Sequence, residues 1–256
     1  MRHLIDITDL SVDEIESILD LADKMKANPA AYRDTMHGRI LATLFFEPST
    51  RTRLSFESAM LSLGGSVLGF SSADSTSTSK RETLTDLLTI RTARGELGHV
   101  TIGMCGDLKF GRTVHSLIGA MSRYPGVEFV LISPPELRVP AYITQKLADD
   151  GIPFREVETM EEVMPELDVL YMTRVQKERF FNEADYIRLK DTYILDPDKL
   201  KTAKPDMAIL HPLPRVNEIS TKVDADPRAM YFEQVRNGRF VRMALISTLL
   251  EGLYED

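Results

Sequence analysis

Val100-Thr101-Ile102-Gly103-Met104-Cys105-Gly106-Asp107-Leu108-Lys109-Phe110-Gly111-Arg112-Thr113-Val114-His115-Ser116 decides the fold class. Its front half is an apolar run of strand length, Val100–Cys105, which reads as a strand buried on both faces. A polar turn between Gly106 and Gly111 follows, and the spacing then predicts a helix over roughly Thr113–Ser122. The same strand–turn–helix rhythm continues outward. Later strands are expected at Glu128–Ile132, Phe154–Val157, Val169–Met172 and Ala208–Leu210, with a helix at Ala141–Asp149 between them. Upstream, strands at Arg39–Phe46 and Ser66–Phe70 flank a helix that runs through Phe56 and Met60 to Leu63 and stops at Gly64-Gly65. Alternating strands and helices of this kind are the α/β signature with parallel sheets.

The first helix is announced by Ser11-Val12-Asp13-Glu14, a capping box that precedes Ile15, Ile18, Leu19, Ala22 and Met25 on one face. A polar loop, Ser71 to Ser79, leads to a helix at Thr83–Arg94, which Gly95 ends. A last helix is expected at about Val241 to Tyr254. Together these give two doubly wound parallel-sheet lobes. The first spans 1–82, the connecting helix 83–94 and the second lobe 95–240, with 241–256 returning to the first lobe.

Composition narrows the function classes. The chain has 256 residues, of which 43% are hydrophobic, enough to bury a substantial core. Its net charge of −8 argues against general nucleic-acid binding while leaving room for a local basic pocket. The single cysteine excludes a disulfide framework and a CxxC zinc site, and no metal is expected. Cys105 lies inside an apolar strand and reads as core. No apolar run reaches the ~18 residues of a membrane span, and the Met1 region lacks a signal-peptide core. A soluble cytoplasmic protein is expected.

Four strand ends carry the residues suited to chemistry. After Phe45-Phe46-Glu47-Pro48, a helix opens on Ser49-Thr50-Arg51-Thr52-Arg53. Free amides and the positive dipole end make a helix start an anion site, and hydroxyls with a guanidinium fork suit phosphate. Ordinary capping with surface arginines is the alternative. The second is Gly106–Ser116, with Arg112 at the junction; its glycines do not fit a dinucleotide fingerprint. The third is Thr173-Arg174-Val175-Gln176-Lys177-Glu178-Arg179, which also reads as a solvated helix start. The fourth is His211-Pro212-Leu213-Pro214-Arg215-Val216-Asn217-Glu218, where two prolines impose an irregular backbone whose carbonyls can accept from a ligand. Arg51, Arg112, Arg174 and Arg215 at strand ends of an acidic protein suggest a small polyanionic ligand.

These four segments, in this order, resemble the aspartate carbamoyltransferase family over nearly the whole chain. The resemblance implies carbamoyl transfer from carbamoyl phosphate to L-aspartate, in pyrimidine biosynthesis, with no cofactor. It implies that Ser49, Thr50, Arg51 and Thr52 hold the phosphate and that Thr52 also polarises the carbamoyl carbonyl. Arg112 and Arg174 clamp the aspartate carboxylates beside Gln176, and the Pro212 and Leu213 carbonyls accept from the carbamoyl amide. Glu47 pairs with Arg112 and Arg179 in the closed state. Lys80 reaches a neighbouring subunit's site, which makes the expected unit a homotrimer with Arg51, Thr52 and Lys80 as its catalytic set. A regulatory subunit is neither implied nor excluded. The related ornithine enzymes carry His-Cys-Leu-Pro where this chain has His-Pro-Leu-Pro, and Arg174 and Arg215 suit a dicarboxylate.

One stretch departs from the pattern. Ser79-Lys80-Arg81-Glu82-Thr83-Leu84 begins like the family's swinging loop, but Thr85-Asp86-Leu87-Leu88-Thr89-Ile90 already matches the inter-lobe helix. The two ends are fused at the shared Thr-Leu. The Arg-His-Pro and His-Pro-Thr-Gln segments that contact phosphate and carbamoyl are missing, and the first lobe keeps about two strands. Two lobes of ordinary size take roughly 300 residues. The second expectation is therefore a catalytically impaired or inactive homologue, natural or from an engineered deletion, that serves as an anion-binding oligomeric scaffold.

Overall fold

The computed structural model describes residues 3–45, 50–71, 82–175 and 193–251. The chain divides into two compact units, Met1–Leu88 with Val235–Asp256, and Thr89–Gln234.

In the first unit, helix α1 (Val12–Ala27) starts on its capping box. The Glu14 N–H donates to Ser11 Oγ at 3.2 Å and the Ser11 N–H to Glu14 Oε2 at 2.7 Å. Its buried face is Ile15, Ile18, Leu19, Ala22 and Met25, the expected stripe. Strand β1 (Ile40–Phe45), helix α2 (Thr50–Ser62) and strand β2 (Ser66–Ser71) form one parallel βαβ unit, with Ile40 opposite Ser66 and Ala42 opposite Leu68. Gly64 closes α2 with φ 82°, where a β-carbon would overlap the Arg33 carbonyl.

Among the described residues this two-stranded sheet has one covered face. Thr43 is buried and donates to Glu57 Oε1 of α2 at 2.9 Å. On the other face Ile40, Leu44 and Leu68 are 70%, 62% and 67% exposed. Parallel sheets ordinarily bury both faces, so this is half of such an arrangement.

The second unit meets that criterion in all but one edge strand. Strands β3 (Thr101–Cys105), β4 (Glu128–Ile132), β5 (Phe154–Val157), β6 (Val169–Met172) and β7 (Ala208–Leu210) form a parallel sheet in the order β5-β4-β3-β6-β7. Helices α4 (Arg112–Met121) and α5 (Ala141–Asp149) supply the β3-to-β4 and β4-to-β5 crossovers. One face is filled by Cys105, Val130, Ile132, Leu170 and Met172, packed with Met160, Val163, Met164 and Leu167 from the β5-to-β6 connection. The alternate residues Ile102, Met104, Phe129 and Leu131 are buried too, which is why the sequence here runs apolar instead of alternating.

Helix α3 (Thr83–Arg94) spans the division at Leu88. The final helix α6 covers Tyr231–Glu251 and so begins ten residues before the expected start. Its first turns carry Arg236, Gly238 and Arg239 with exposed Phe232 and Val235, so no apolar stripe marks them. Buried Tyr231, Gln234 and Asn237 anchor that end instead. None of the described helices is long and apolar enough to cross a membrane.

Candidate functional site

In the first unit, β1 hands over to α2, whose first described residue is Thr50. Arg51 is exposed and Thr52 buried, and the first turn holds no acidic residue. A helix start without a carboxylate, at the carboxyl end of a parallel strand, retains its preference for an anion. Arg53, one turn on, is paired with Glu57 at 3.1 Å and faces the sheet side of the helix. Glu47, Ser49, Lys80, Gln176 and Arg179 lie outside the described residues.

In the second unit, strand order makes the site. From β3 the chain proceeds to β4 and β5 on one side, then returns to place β6 and β7 on the other. The loops leaving β3 and β6 therefore diverge, and the crevice between them is where open α/β sheets take ligands. Arg112 opens α4 beyond β3, exposed, behind an N-cap Gly111 that has no side-chain cap bond. Arg174 follows β6, half-buried, and the His211–Glu218 segment follows β7.

Thr173 locks the two loops at that crevice. Its hydroxyl donates to the Cys105 carbonyl at 3.0 Å and accepts from the Asp107 N–H at 3.0 Å. The approach is so close that residue 106 must be glycine: it has φ 113°, and a β-carbon would meet the Thr173 carbonyl and lie 2.7 Å from its Oγ1. Asp107 Oδ1 then accepts from the Phe110 N–H at 3.0 Å, and His115 Nε2 contacts the Leu108 carbonyl at 2.8 Å. The turn before Arg112 is held at both ends.

Arg215 does not join this group. Its guanidinium is engaged with both oxygens of Asp224, with Nη2 at 2.6 Å from Oδ2, and with the Tyr231 hydroxyl at 3.2 Å. The Arg215 hydrogen bond holds the Asp224 carboxyl down to about 2, while burial and then the bond to Asp224 push the Tyr231 phenol up to about 12. The expectation that Arg215 suits a dicarboxylate ligand is corrected by this pairing: its carboxylate comes from the chain itself. Nothing in local spacing exposes a partner nine residues away.

The β7 loop has an internal frame that the sequence reading missed. His211 and Glu218 are 1% and 4% exposed and meet at 2.7 Å between Nε2 and Oε1. Burial pushes the Glu218 carboxyl up, but hydrogen bonds from His211 and backbone amides outweigh it and hold the group below its usual range. Cys105 is buried as expected, with its thiol pushed up by burial. Among the described residues, no group of three or more His, Cys, Asp or Glu is placed to hold a metal ion.

Two family profiles match the chain. The aspartate/ornithine carbamoyltransferase carbamoyl-P binding domain matches residues 2–100, and the Asp/Orn binding domain of the same family matches residues 98–249. The chain is similar to the aspartate carbamoyltransferase catalytic subunit of Lachnoclostridium phytofermentans, at 54% identity with all of both chains covered. That alignment runs over 307 positions, 51 more than the 256 residues here. Among solved structures, the catalytic subunit of M. jannaschii aspartate transcarbamoylase matches with a TM-score of 0.90 at 37% identity, covering 98% of this chain and 100% of that one. Aspartate transcarbamoylase from Trypanosoma cruzi in complex with N-(phosphonacetyl)-L-aspartic acid matches with a TM-score of 0.84 at 31% identity, covering 96% and 94%.

Proposed function

Since the chain belongs to the aspartate/ornithine carbamoyltransferase family, we propose that it transfers the carbamoyl group of carbamoyl phosphate to L-aspartate, giving N-carbamoyl-L-aspartate and phosphate. The observation that carries this is kinship along the whole chain with a named catalytic subunit. The carboxylate-free start of α2 and the β3/β6 switch point bearing Arg112 and Arg174 support it.

In this reading 1–82 is the carbamoyl-phosphate lobe, with 241–256 returning to it, 83–94 is the connecting helix, and 95–240 is the aspartate lobe. Ser49, Thr50, Arg51 and Thr52 hold the phosphate, and Thr52 polarises the carbonyl. Arg112, Arg174 and Gln176 hold the aspartate carboxylates, and the Pro212 and Leu213 carbonyls hold the carbamoyl amide. The aspartate amine attacks the carbonyl carbon, and negative charge builds first on its oxygen. The C–O bond to phosphate then breaks, phosphate leaves with the electron pair, and the amine gives up a proton. Cations and amides already in place stabilise that charge without reorganising. Glu47 pairs with Arg112 and Arg179 on closure. Lys80 completes a neighbour's site in a cytoplasmic homotrimer.

Turnover of carbamoyl phosphate and L-aspartate by the folded chain tests this directly. Arg51→Ala should lower kcat/KM by roughly 100-fold or more. Absence of product from well-folded protein would reject the activity.

A second reading, an impaired homologue acting as an anion-binding scaffold, is favoured by the 51 extra alignment positions and by the bare two-stranded sheet. Each missing oxyanion-type donor costs roughly 100- to 1000-fold in rate. Calorimetry with N-(phosphonacetyl)-L-aspartate separates the two. A working site binds this bisubstrate analogue at least about 100-fold more tightly than phosphate, whereas a bare anion site does not distinguish them.

A further inference from the structure

The backbone after β7 cannot organise itself. Pro212 and Pro214 have no N–H to donate, and Leu213 sits at φ 43°, a left-handed conformation unfavourable for a side chain with a β-carbon. Two buried side chains do the work a ladder would do elsewhere. The Leu213 N–H donates to His211 Nδ1 at 2.8 Å, so that nitrogen is the acceptor and the ring proton sits on Nε2. Nε2–H then donates to Glu218 Oε1 at 2.7 Å. Glu218 Oε2 accepts from the Val216 and Asn217 N–H groups at 3.0 and 3.1 Å. The His211 N–H is itself tied to buried Gln234 Oε1 at 2.9 Å. Three amides of the loop thus converge on one neutral imidazole and one carboxylate.

We propose that His211 and Glu218 are positioning residues whose buried pair aims the Pro212 and Leu213 carbonyls at the carbamoyl amide, setting the preference for carbamoyl phosphate over phosphate. The inference rests on the function proposed above. Neither side chain touches substrate; each acts through the loop backbone. A left-handed Leu213 persists because its N–H has a fixed acceptor, and the direction of the 212 and 213 carbonyls follows from that conformation.

The test compares two dissociation constants, for carbamoyl phosphate and for inorganic phosphate, measured by calorimetry on the whole chain. His211→Gln can still reach Glu218 but places no acceptor beside the Leu213 N–H. It should lose the preference for carbamoyl phosphate by about tenfold, the scale of one well-placed hydrogen bond, with phosphate affinity unchanged. Preference retained in this variant overturns the proposal, and so does a parallel fall in both affinities, which marks a general folding role. Independently of any variant, nitrogen-15 spectra of the unmodified protein should show His211 protonated at Nε2 with Nδ1 as acceptor. A proton on Nδ1 overturns the assignment. If the unmodified chain shows no preference at all, the proposed function fails and this inference with it.

Discussion

Asp224 and Gly106 show how single residues set the limits of the second unit. The Arg215 hydrogen bond keeps the Asp224 carboxyl near 2 against an ordinary 3.8. A carboxyl depressed in the folded state stabilises fully above its unfolded value, and the contribution disappears as pH falls through the folded one. Asp224→Asn should therefore be less stable than the unmodified chain at neutral pH by on the order of 1 kcal/mol, allowing for partial exposure. The difference in urea midpoint should close between about pH 4 and pH 2; one that persists at pH 2 would refute the assignment. Gly106→Ala faces both a left-handed φ and the Thr173 carbonyl. It should cost about 2–4 kcal/mol in urea unfolding, while Gly95→Ala, with open space at its φ of 85°, should cost less.

The strands and helices differ in how much the sequence reveals of them. Strands β3, β4 and β6 are legible because burial on both faces leaves unbroken apolar runs between glycine and polar turns. Helix α1 is legible from its capping box and one apolar stripe. The start of α6 is not, because two of the residues buried there, Gln234 and Asn237, are polar while apolar Phe232 and Val235 are exposed, so no apolar stripe marks its inner face. The apolar residues of β1 and β2 predict a buried strand pair, yet Ile40, Leu44 and Leu68 stand in solvent. Leu68→Ser should accordingly change stability by less than about 0.5 kcal/mol and reduce binding of an apolar dye. A cost near that of a buried leucine, about 2–5 kcal/mol, would show that the face is covered.

At the scale of the whole molecule, the two units carry unequal sheets. A five-stranded sheet whose inner strands β4, β3 and β6 are buried on both faces should protect amides in 101–105 and 128–132 against hydrogen exchange far longer than those in 40–45 and 66–71. Equal protection would contradict the half-covered sheet. The 51 positions by which the L. phytofermentans alignment exceeds this chain bear on activity as well. The sequence departs from the family pattern between Glu82 and Thr85, and inserting there the family's stretch with its Arg-His-Pro and His-Pro-Thr-Gln segments should raise kcat/KM by at least about 100-fold if it supplies an absent donor. An unchanged rate would place the loss elsewhere.

Local pattern by itself determined the α/β class, the positions of most strands and the family resemblance, because each rests on residues adjacent in the chain. Arg112 and Arg174 were legible as strand-end cations, but only the strand order placed both beside one switch point. Tertiary structure alone decided that Arg215 is engaged by Asp224 and that Glu218 braces the loop through His211. Such pairings depend on how the intervening chain folds back, and a charged side chain's partner is chosen by position in space and not by distance along the sequence.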